Sequence, residues 1–543
     1  MSRTKKAARK NGGGEKRKAD AAPQQQGATG NKNVAGAKKQ KVAAQKKPQE
    51  DSKSMAAVTL SELLGGMDLD VFFAQYFEKK PLHVRSDGKH KLFPRDLFSK
   101  KRVLETVQQN QLDYGKDLTI CKYVDAEREN YDGEDEQFAS RKKVARLFEQ
   151  GFSCQFYQPQ RYVDELFNIN AAFEAYFGSL AGASAYLTPP AAQALAPHHD
   201  DVEVFILQTE GRKKWKLYHP ITKLAGEHSN DLSPDQIGEP WMELTLEEGD
   251  VLYFPRGVIH QAATDDKQFS THVTISVYQH NAWANFLEVA LPRVIRRAFD
   301  SDVSFRSGLP IAYLEYIGSQ FASDSEKAQK FTKSLKDLIG KLAENVNASD
   351  LQEAADEAAM DFVANRLPPS LEEKVDMSLS PLDGKARIRF KDRSHVRLTM
   401  GEDEMKEAFV AVYFSSRNCR KHHMGLCTCR AAFDDEVASD EEGSDGGDDA
   451  DNDGEGKSDE DEENDGSDED EDDEMRAAMG QVPVPPQSIA FPGELAQPLL
   501  KLYAAYPAFV KVEVLDNDAA DETSIRGMLL RLWTEGLLEV RKL

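Results

Sequence analysis

The sequence lacks the long apolar runs and the cysteine pairs that would place it in a membrane or an oxidising compartment. No apolar stretch approaches the roughly 18 residues of a membrane span, and the N-terminus carries no apolar signal-peptide core. The five cysteines are few and odd in number, which argues against a disulfide framework. We therefore expect a protein of a reducing intracellular compartment, without membrane association.

Charge is concentrated in two segments, one acidic and one basic. The net charge of −24 comes from residues 434–474, which hold 25 acidic residues against one lysine. Residues 1–50 hold 14 Lys or Arg against three acidic residues. Neither segment has enough apolar side chains to build a core, so we expect a disordered basic tail over residues 1–54 and a disordered acidic insertion over 434–474. The basic tail favours a nuclear and nucleolar location, and the insertion is suited to attract basic proteins.

The chain between these segments begins as a mixed helical and strand-rich unit, which we place at residues 55–280. A helical pattern starts at about Thr59, and Ser61 is suited to cap its first helix. From Leu180 to Gln279 short strands alternate with tight turns. This pattern is typical of a small β-barrel or sandwich.

Two further units follow. Residues 281–369 are helical, with an apolar stripe that packs either within one subunit or against a second copy. Residues 370–543 are interrupted by the acidic insertion, and from Gly493 onward they follow the order helix, strand, helix, strand, compatible with a winged-helix module. From Gln487 to Leu543 the chain is otherwise short of basic residues. This last part has six Lys or Arg against eight acidic residues, so it lacks a basic DNA-binding surface. We expect a protein-binding or structural role and no strong specific DNA binding.

The strongest functional signal is a pair of overlapping His-x-Asp sequences followed, far along the chain, by His260. Two histidines and one carboxylate form the ligand set of a facial-triad iron site, which leaves other coordination positions open. The two registers, His198/Asp200 and His199/Asp201, point to opposite faces of a strand. The even-numbered face continues with apolar residues, whereas the odd-numbered face begins with three polar ones. The even face is the expected interior, which selects His198 and Asp200.

The strand that follows carries a lysine on an apolar face. Lys213 alternates with Trp215 and Leu217, so it either extends to water or pairs with a buried anion. Further on, a Gly-Asp turn precedes an apolar strand, a sharp turn at Pro255 and a return strand that carries His260. The order of these pieces brings a histidine back towards the first motif.

Four segments of the chain resemble the Jumonji-C oxygenases, and within them the ribosomal-oxygenase branch. They are Phe72–Arg85, Ala185–Tyr218, Gly249–Ala262 and Thr271–Gln279. The resemblance implies an α+β protein whose residues 55–280 form a double-stranded β-helix of the Jumonji/cupin type and whose residues 281–369 form a homodimer. It implies Fe(II) as the metal, with 2-oxoglutarate and O2 as co-substrates.

The same resemblance implies a role for individual residues. The implied metal ligands are His198, Asp200 and His260. Lys213 would bind the distal carboxylate of 2-oxoglutarate, helped by Tyr186 and Ser276. One position departs from the family pattern: where an asparagine usually stands two residues before the tyrosine, this chain has Ser184, whose hydroxyl has a shorter reach.

The resemblance also implies a substrate class. The leading expectation is hydroxylation of a histidine in a large-subunit ribosomal protein. Demethylation of histone lysine, and thus a role in chromatin and transcription regulation, is the enzymatic alternative, because only the shape of the pocket separates the two reactions. A catalytically inactive nucleolar scaffold is the alternative outside enzymology.

A small Cys/His cluster lies near the start of the acidic insertion. Its members are Cys419, His422, His423, Cys427 and Cys429. The Cys-x-Cys spacing is tighter than that of ordinary zinc sites. We therefore expect a flexible loop without metal.

Overall fold

The computed structural model describes residues 51–88, 92–94, 97–125, 127–131, 133, 138–369, 378–403, 405–425, 487–515 and 519–542. The basic tail expected over residues 1–54 lies outside these ranges up to residue 50, and the acidic insertion at 434–474 lies outside them entirely.

The described residues form both helices and strands. The helices are α1 (Ser52–Leu63), α2 (Leu69–Gln75), α3 (Lys100–Gln109), α4 (Arg141–Glu149), α5 (Asp164–Phe177), α6 (Pro234–Ile237), α7 (Trp283–Ser301), α8 (Val303–Arg306), α9 (Glu326–Asn345), α10 (Ala348–Asn365), α11 (Ala496–Ala505) and α12 (Glu522–Thr534). The strands are β1 (Leu82–Val84), β2 (Leu118–Val124), β3 (Glu127–Tyr131), β4 (Ser153–Tyr157), β5 (Ala181–Thr188), β6 (Glu203–Gly211), β7 (Lys213–Tyr218), β8 (Met242–Leu246), β9 (Val251–Phe254), β10 (Ile259–Ala263), β11 (Ser270–Val277), β12 (Ala386–Phe390), β13 (Val396–Glu402), β14 (Ala408–Phe414), β15 (Gln487–Pro492), β16 (Val510–Lys511) and β17 (Leu538–Lys542).

The first helix begins earlier than the sequence pattern predicted. Helix α1 starts at Ser52, and the side chain of Asp51 caps its first turn. The predicted start at about Thr59 and the predicted cap at Ser61 are therefore wrong. Ser61 lies inside α1, and its hydroxyl donates a hydrogen bond to the carbonyl of Met67 at 2.9 Å. Asp51 supplies a better cap than a serine within the helix, because a cap must precede the first turn.

Two antiparallel sheets form the centre of the molecule. The larger has eight strands in the order β1-β9-β6-β11-β5-β4-β2-β3, and the smaller has the order β10-β7-β8. The consecutive strands β6 and β7 belong to different sheets, so the chain changes sheet at Gly211. This residue has φ +62°, and a Cβ there would lie 2.0 Å from the carbonyl oxygen of Phe269, which restricts the position to glycine. The predicted strand-rich segment is thus a pair of packed sheets.

Both faces of strand β6 are buried. Val204 and Ile206 face the smaller sheet and share an apolar cluster with Trp215. Phe205 and Leu207 face the other way, into a larger core that also contains residues of α1 to α5. The expectation that the even-numbered face is interior is met, but the odd-numbered face is equally buried, because helices cover the outer side of the large sheet.

The helical region follows the two sheets, and α10 packs against α7. Exposed apolar side chains remain on α7 and α9, and they include Leu287, Leu291, Ile295, Phe299, Leu335 and Ile339. None of the described helices has both the length and the apolar character needed to cross a membrane.

The C-terminal unit is built from both sides of the acidic insertion. Strand β14 pairs with β15 across it, and a second sheet has the order β16-β12-β17. Both sheets and helices α11 and α12 share one apolar core. The predicted order helix, strand, helix, strand is present, but the second element is a strand only over Val510–Lys511 and continues as a 3-10 helix over Val512–Leu515.

Candidate active site

The structure brings His198, Asp200 and His260 together, although His260 lies 62 positions after His198 and 60 after Asp200. Their nitrogen and oxygen atoms lie within 4.8 Å of one another. Asp200 stands between the histidines: its Oδ1 is 3.8 Å from Nε2 of His198, and its Oδ2 is 3.7 Å from Nε2 of His260. Among the described residues this is the only group of three or more such side chains with metal-site spacing.

Backbone pairing holds the two histidines side by side. The amide of His260 donates to the carbonyl of His198 at 2.8 Å, and the amide of His198 donates back at 3.2 Å. This isolated bridge joins the segment before β6 to strand β10. The ring centroids are 4.4 Å apart as a result, so both side chains enter the same cavity.

The Nδ1 atom of each imidazole already has a hydrogen-bond partner. Nδ1 of His198 lies 2.8 Å from the carbonyl oxygen of Ala196, and Nδ1 of His260 lies 3.1 Å from that of Val258. A carbonyl accepts only from N–H, so the proton is on Nδ1 and the Nε2 lone pair is free to bind a metal. Burial also lowers the pKa of His260 to about 4, which keeps its ring neutral.

The alternative register points elsewhere. The backbone amide of His199 donates to the hydroxyl of Ser229 at 2.9 Å, and the carboxylate of Asp201 accepts from the amide side chain of Gln279 at 3.0 Å. Among the described residues, neither His199 nor Asp201 belongs to the group with metal-site spacing around His260. The geometry agrees with the choice of the even-numbered face.

Lys213 enters the same cavity from strand β7. Its side chain is buried, with 3% of its surface exposed, and Nζ donates to the hydroxyl of Thr188 at 3.0 Å. No carboxylate of the described residues forms an ion pair with it. Burial lowers its pKa to about 7. The sequence left open whether Lys213 extends to water or pairs with a buried anion, and its burial excludes the first. No side chain of the described residues supplies the anion.

Tyr186 lines the cavity beside Lys213. Its hydroxyl accepts a hydrogen bond from the side-chain amide of Gln155 at 2.9 Å, and its ring stacks on His272 with centroids 4.7 Å apart. Ser184 and Ser276 lie on β5 and β11 and are partly buried. Neither is among the residues that line the cavity, so the co-substrate contacts expected of them stay predictions.

Sequence reasoning did not single out several cavity residues. His272 and Thr274 lie on β11 facing the cavity, and burial holds the pKa of His272 well below its usual value. Lys213 also lowers it, so the imidazole is neutral. Alternation along β11 could have identified both residues, because they share a face with Ser276. The partnership of Thr188 with Lys213 had no sequence signal, since it joins two different sheets.

The Cys/His cluster is only partly described. The ring of His423 is buried, with Nε2 2.7 Å from a carboxylate oxygen of Glu174 and Nδ1 2.8 Å from the amide nitrogen of Gln160. His423 thus links the C-terminal unit to α5 through hydrogen bonds. Cys427 and Cys429 lie outside the described residues, so the expected loop without metal stays a prediction.

Comparison with known proteins agrees with this geometry. The family model described as "JmjC domain" matches residues 155–286, and the two facing sheets correspond to its cupin-like fold. Ribosomal oxygenase 2 of Mus musculus is 37% identical over 378 residues, which cover 67% of this chain and 78% of the relative. The protein named bifunctional lysine-specific demethylase and histidyl-hydroxylase NO66 of Culex quinquefasciatus is 33% identical over 396 residues, covering 69% of this chain and 59% of the relative.

Among solved structures, YcfD, a ribosomal oxygenase from Escherichia coli, in complex with cobalt and 2-oxoglutarate, is similar with a TM-score of 0.39. It is 12% identical, and the match covers 88% of this chain and 98% of that one. The identity and coverage of the mouse relative are sufficient by themselves: the chain belongs to the ribosomal oxygenase family of JmjC-domain proteins.

Proposed function

We propose that the protein is an Fe(II)- and 2-oxoglutarate-dependent oxygenase that hydroxylates a histidine side chain of a large-subunit ribosomal protein. One observation carries the proposal: a His-Asp-His cluster and a buried lysine without an acidic partner among the described residues share one cavity. The names of the relatives support the ribosomal substrate. A scaffold protein would have no physical need for this combination of residues.

The donor set fits Fe(II). Two neutral imidazole nitrogens and one carboxylate are the ligands of the non-haem iron sites that keep other positions open for substrates. His198, Asp200 and His260 supply these atoms, and backbone carbonyls orient both rings. Such outer contacts raise the basicity of the ligand and fix its tautomer.

The cavity also fits a dicarboxylate co-substrate. A buried ammonium is costly unless an anion pairs with it, and Lys213 lacks such a partner among the side chains that the structure describes. The distal carboxylate of 2-oxoglutarate would complete a charge-assisted pair with Lys213, while the hydroxyl of Thr188 already orients the amine. Binding of the anion would keep the amine protonated.

The remaining residues hold the reactants and exclude water. When bound, Fe(II) with 2-oxoglutarate and O2 supplies the chemistry that inserts one oxygen atom into a C–H bond and yields succinate and CO2. Val204, Ile206 and Trp215 make one wall of the cavity apolar. Tyr186 also lines the cavity, and Gln155 holds its hydroxyl through a hydrogen bond.

An incubation with peptides tests the proposal. Purified protein with Fe(II), ascorbate and 2-oxoglutarate should add one oxygen to a histidine of a ribosomal-protein peptide, as read by tandem mass spectrometry. Omission of 2-oxoglutarate should abolish the product. Absence of both product and succinate above background, across a panel covering the large-subunit proteins, would leave the scaffold as the better account.

Demethylation of a histone lysine is the second candidate, because the name of one relative couples the two activities. The same incubation with methylated histone peptides separates them. Loss of a methyl group with release of formaldehyde would assign the demethylase, whereas a gain of oxygen confined to histidine would assign the hydroxylase.

We propose further that the helical region forms a homodimer. The support is the apolar surface of α7 and α9, where Leu291, Ile295 and Ile339 are exposed; such continuous surfaces usually mark interfaces. Light scattering after size-exclusion chromatography should give twice the chain mass, and Ile295→Asp should give the monomer. Leu224→Asp, at an exposed leucine outside the helical region, should leave the mass unchanged. A wild-type monomer would refute the dimer.

Two further features complete the proposal. The C-terminal unit would be a winged-helix module with a structural or protein-binding role, supported by helices α11 and α12 packed on the β12 sheet. The basic tail would direct the protein to the nucleus and nucleolus. A fluorescent fusion lacking residues 1–50 should lose nucleolar accumulation, whereas a fusion of the whole chain should show it.

A further inference from the structure

A buried ion cluster lies next to the ligand-bearing segments but outside the cavity. Arg256 has one guanidinium nitrogen 2.9 Å from the carboxylate of Glu203 and another 2.7 Å from that of Glu78. The hydroxyl of Tyr253 donates to Glu203 and accepts from the backbone amide of Glu78. Glu203 is fully buried, and Arg256 nearly so. Two buried charged groups and a phenol are thus held together, and the third charged group, Glu78, is partly exposed.

This cluster is connected to the metal ligands through very short stretches of chain. Glu203 is three residues beyond Asp200. On the other side, Arg256 precedes Gly257, whose amide donates to the carbonyl of Asp200 at 2.9 Å. The carbonyl of Val258 then lies 3.1 Å from Nδ1 of His260. The turn at residues 255–258 therefore contacts both Asp200 and His260, and Arg256 anchors that turn.

The turn has little freedom of its own. Gly257 has φ +83°, and a Cβ there would lie 2.4 Å from the carbonyl oxygen of Thr222, so only glycine fits. The amide of Arg256 also approaches the carboxylate of Glu203 at 3.4 Å. The backbone amide and the guanidinium of Arg256 thus both contact the carboxylate of Glu203. These contacts fix the direction in which the turn leaves β9.

Stability alone does not account for such a cluster. Burial raises the pKa of Glu203 in spite of the opposing hydrogen bonds from Tyr253 and Arg256. Buried ion pairs can often be replaced by apolar groups without loss of stability. A planar guanidinium does something that apolar groups cannot: it holds two carboxylates at fixed directions at once.

We propose that Arg256 is a positioning residue that, through Glu203 and Glu78, sets the separation of Asp200 and His260 required for metal binding. The inference rests on the proposed function, because it presupposes that these residues bind a metal. Shortening the anchor would let the turn move, and the carboxylate and the imidazole would no longer converge on one point.

The test compares Arg256→Lys with a matched control, Arg389→Lys. Arg389 is also buried and paired with a carboxylate, that of Glu539, but it lies in the C-terminal unit. Co(II) binding to the full chain is followed by anaerobic titration and by the visible absorption of the bound ion. Arg256→Lys should weaken Co(II) binding by about 10-fold or more and alter the spectrum, as is typical for groups behind a metal ligand. Glu203→Gln, a milder change, should shift both readouts in the same direction.

The outcomes are distinguishable. Arg389→Lys is expected to lower the melting temperature while leaving Co(II) affinity and spectrum as in the wild type. If Arg256→Lys and Glu203→Gln behave like this control, the cluster is structural only and the inference is wrong, although the proposed function stands. If wild-type protein binds no Co(II), the proposed function fails, and the positioning role fails with it.

Discussion

Lys213 and Arg389 are two buried cations with opposite surroundings. Lys213, 3% exposed, donates to one neutral hydroxyl, that of Thr188. Arg389, 4% exposed, donates to the carboxylate of Glu539 and to a backbone carbonyl. A buried charge with no counter-charge costs far more than a paired one. The cavity thus retains a buried amine without a counter-charge among the described side chains, which indicates a place for an external anion.

The histidines show the same contrast. Both nitrogens of His423 have protein partners, Glu174 and Gln160. His260 has a partner for Nδ1, but its Nε2 lies 3.7 Å from Asp200, beyond hydrogen-bond distance. A histidine that joins two parts of a fold uses its whole hydrogen-bonding capacity. A metal ligand keeps one lone pair free, and this difference separates the site from the structural junction.

Removal of the central carboxylate should have the largest effect. Asp200→Ala is expected to abolish metal binding and to reduce turnover by at least about 1,000-fold, because the triad loses its only anionic ligand. The fold should survive, since Asp200 is partly exposed and its side chain supports no core. Metal content after anaerobic reconstitution and a thermal melt provide the measurements. Asp201→Asn is the control and should still bind metal; an unfolded Asp200→Ala protein would mean that the site is structural, like the junction at His423.

Neutralising the buried lysine tests the comparison of the two cations directly. Lys213→Met should raise the KM for 2-oxoglutarate by about 100-fold, the loss of one buried charge-assisted pair, while metal affinity is unchanged. The same variant should be more stable than wild type without co-substrate, because an unpaired buried charge is removed. Arg389→Met should instead lose about 3 kcal/mol, as is usual when one partner of a buried pair is deleted. Chemical denaturation of both variants measures these changes in the free energy of unfolding. If Lys213→Met lowers the stability, the contrast between an unpaired Lys213 and a paired Arg389 is wrong.

The pH dependence should follow from the same lysine. Burial lowers the pKa of Lys213 to about 7, so the amine loses its proton in the folded protein above that pH, while the unfolded chain keeps it. The affinity for 2-oxoglutarate should therefore fall by up to about tenfold per pH unit above 7, since only the ammonium pairs with the anion. The stability gained by Lys213→Met should shrink over the same range by up to about 1.4 kcal/mol per unit, because the unfolded state binds more protons. Lys213→Arg, which stays charged, is the control, and an equal pH dependence there would assign the effect to another group.

Local alternation was sufficient to predict which of the two His-x-Asp registers the structure brings to His260. His198 and Asp200 share the even-numbered face with Val204 and Ile206, and that face does line the cavity. The signal works because a strand has a period of two and the cavity side of β6 is apolar beyond the ligands. The burial of the odd-numbered face was not predicted. Polar residues at its start indicated exposure to solvent, yet Glu203 is fully buried.

Contacts between distant segments could not be predicted in this way. The pairs Lys213–Thr188 and Arg256–Glu203 depend on which strands become neighbours, and no residue pattern encodes the crossing from β6 to a different sheet at Gly211. The early start of α1 was hidden for a different reason. Its first turn follows directly on a basic, apolar-poor tail, so composition masked a capped helix.

The smallest expected effect belongs to the neighbouring histidine. His199→Ala should retain at least about a tenth of wild-type activity, because His199 is not in the group with metal-site spacing and contacts Ser229 through its backbone amide, which alanine preserves. His198→Ala, one residue earlier, should lose metal and activity together. Parallel assays of the two variants under saturating 2-oxoglutarate measure the difference. Equal losses would overturn the face assignment for this strand, and with it the distinction between ligands that point into the cavity and polar groups that only border it.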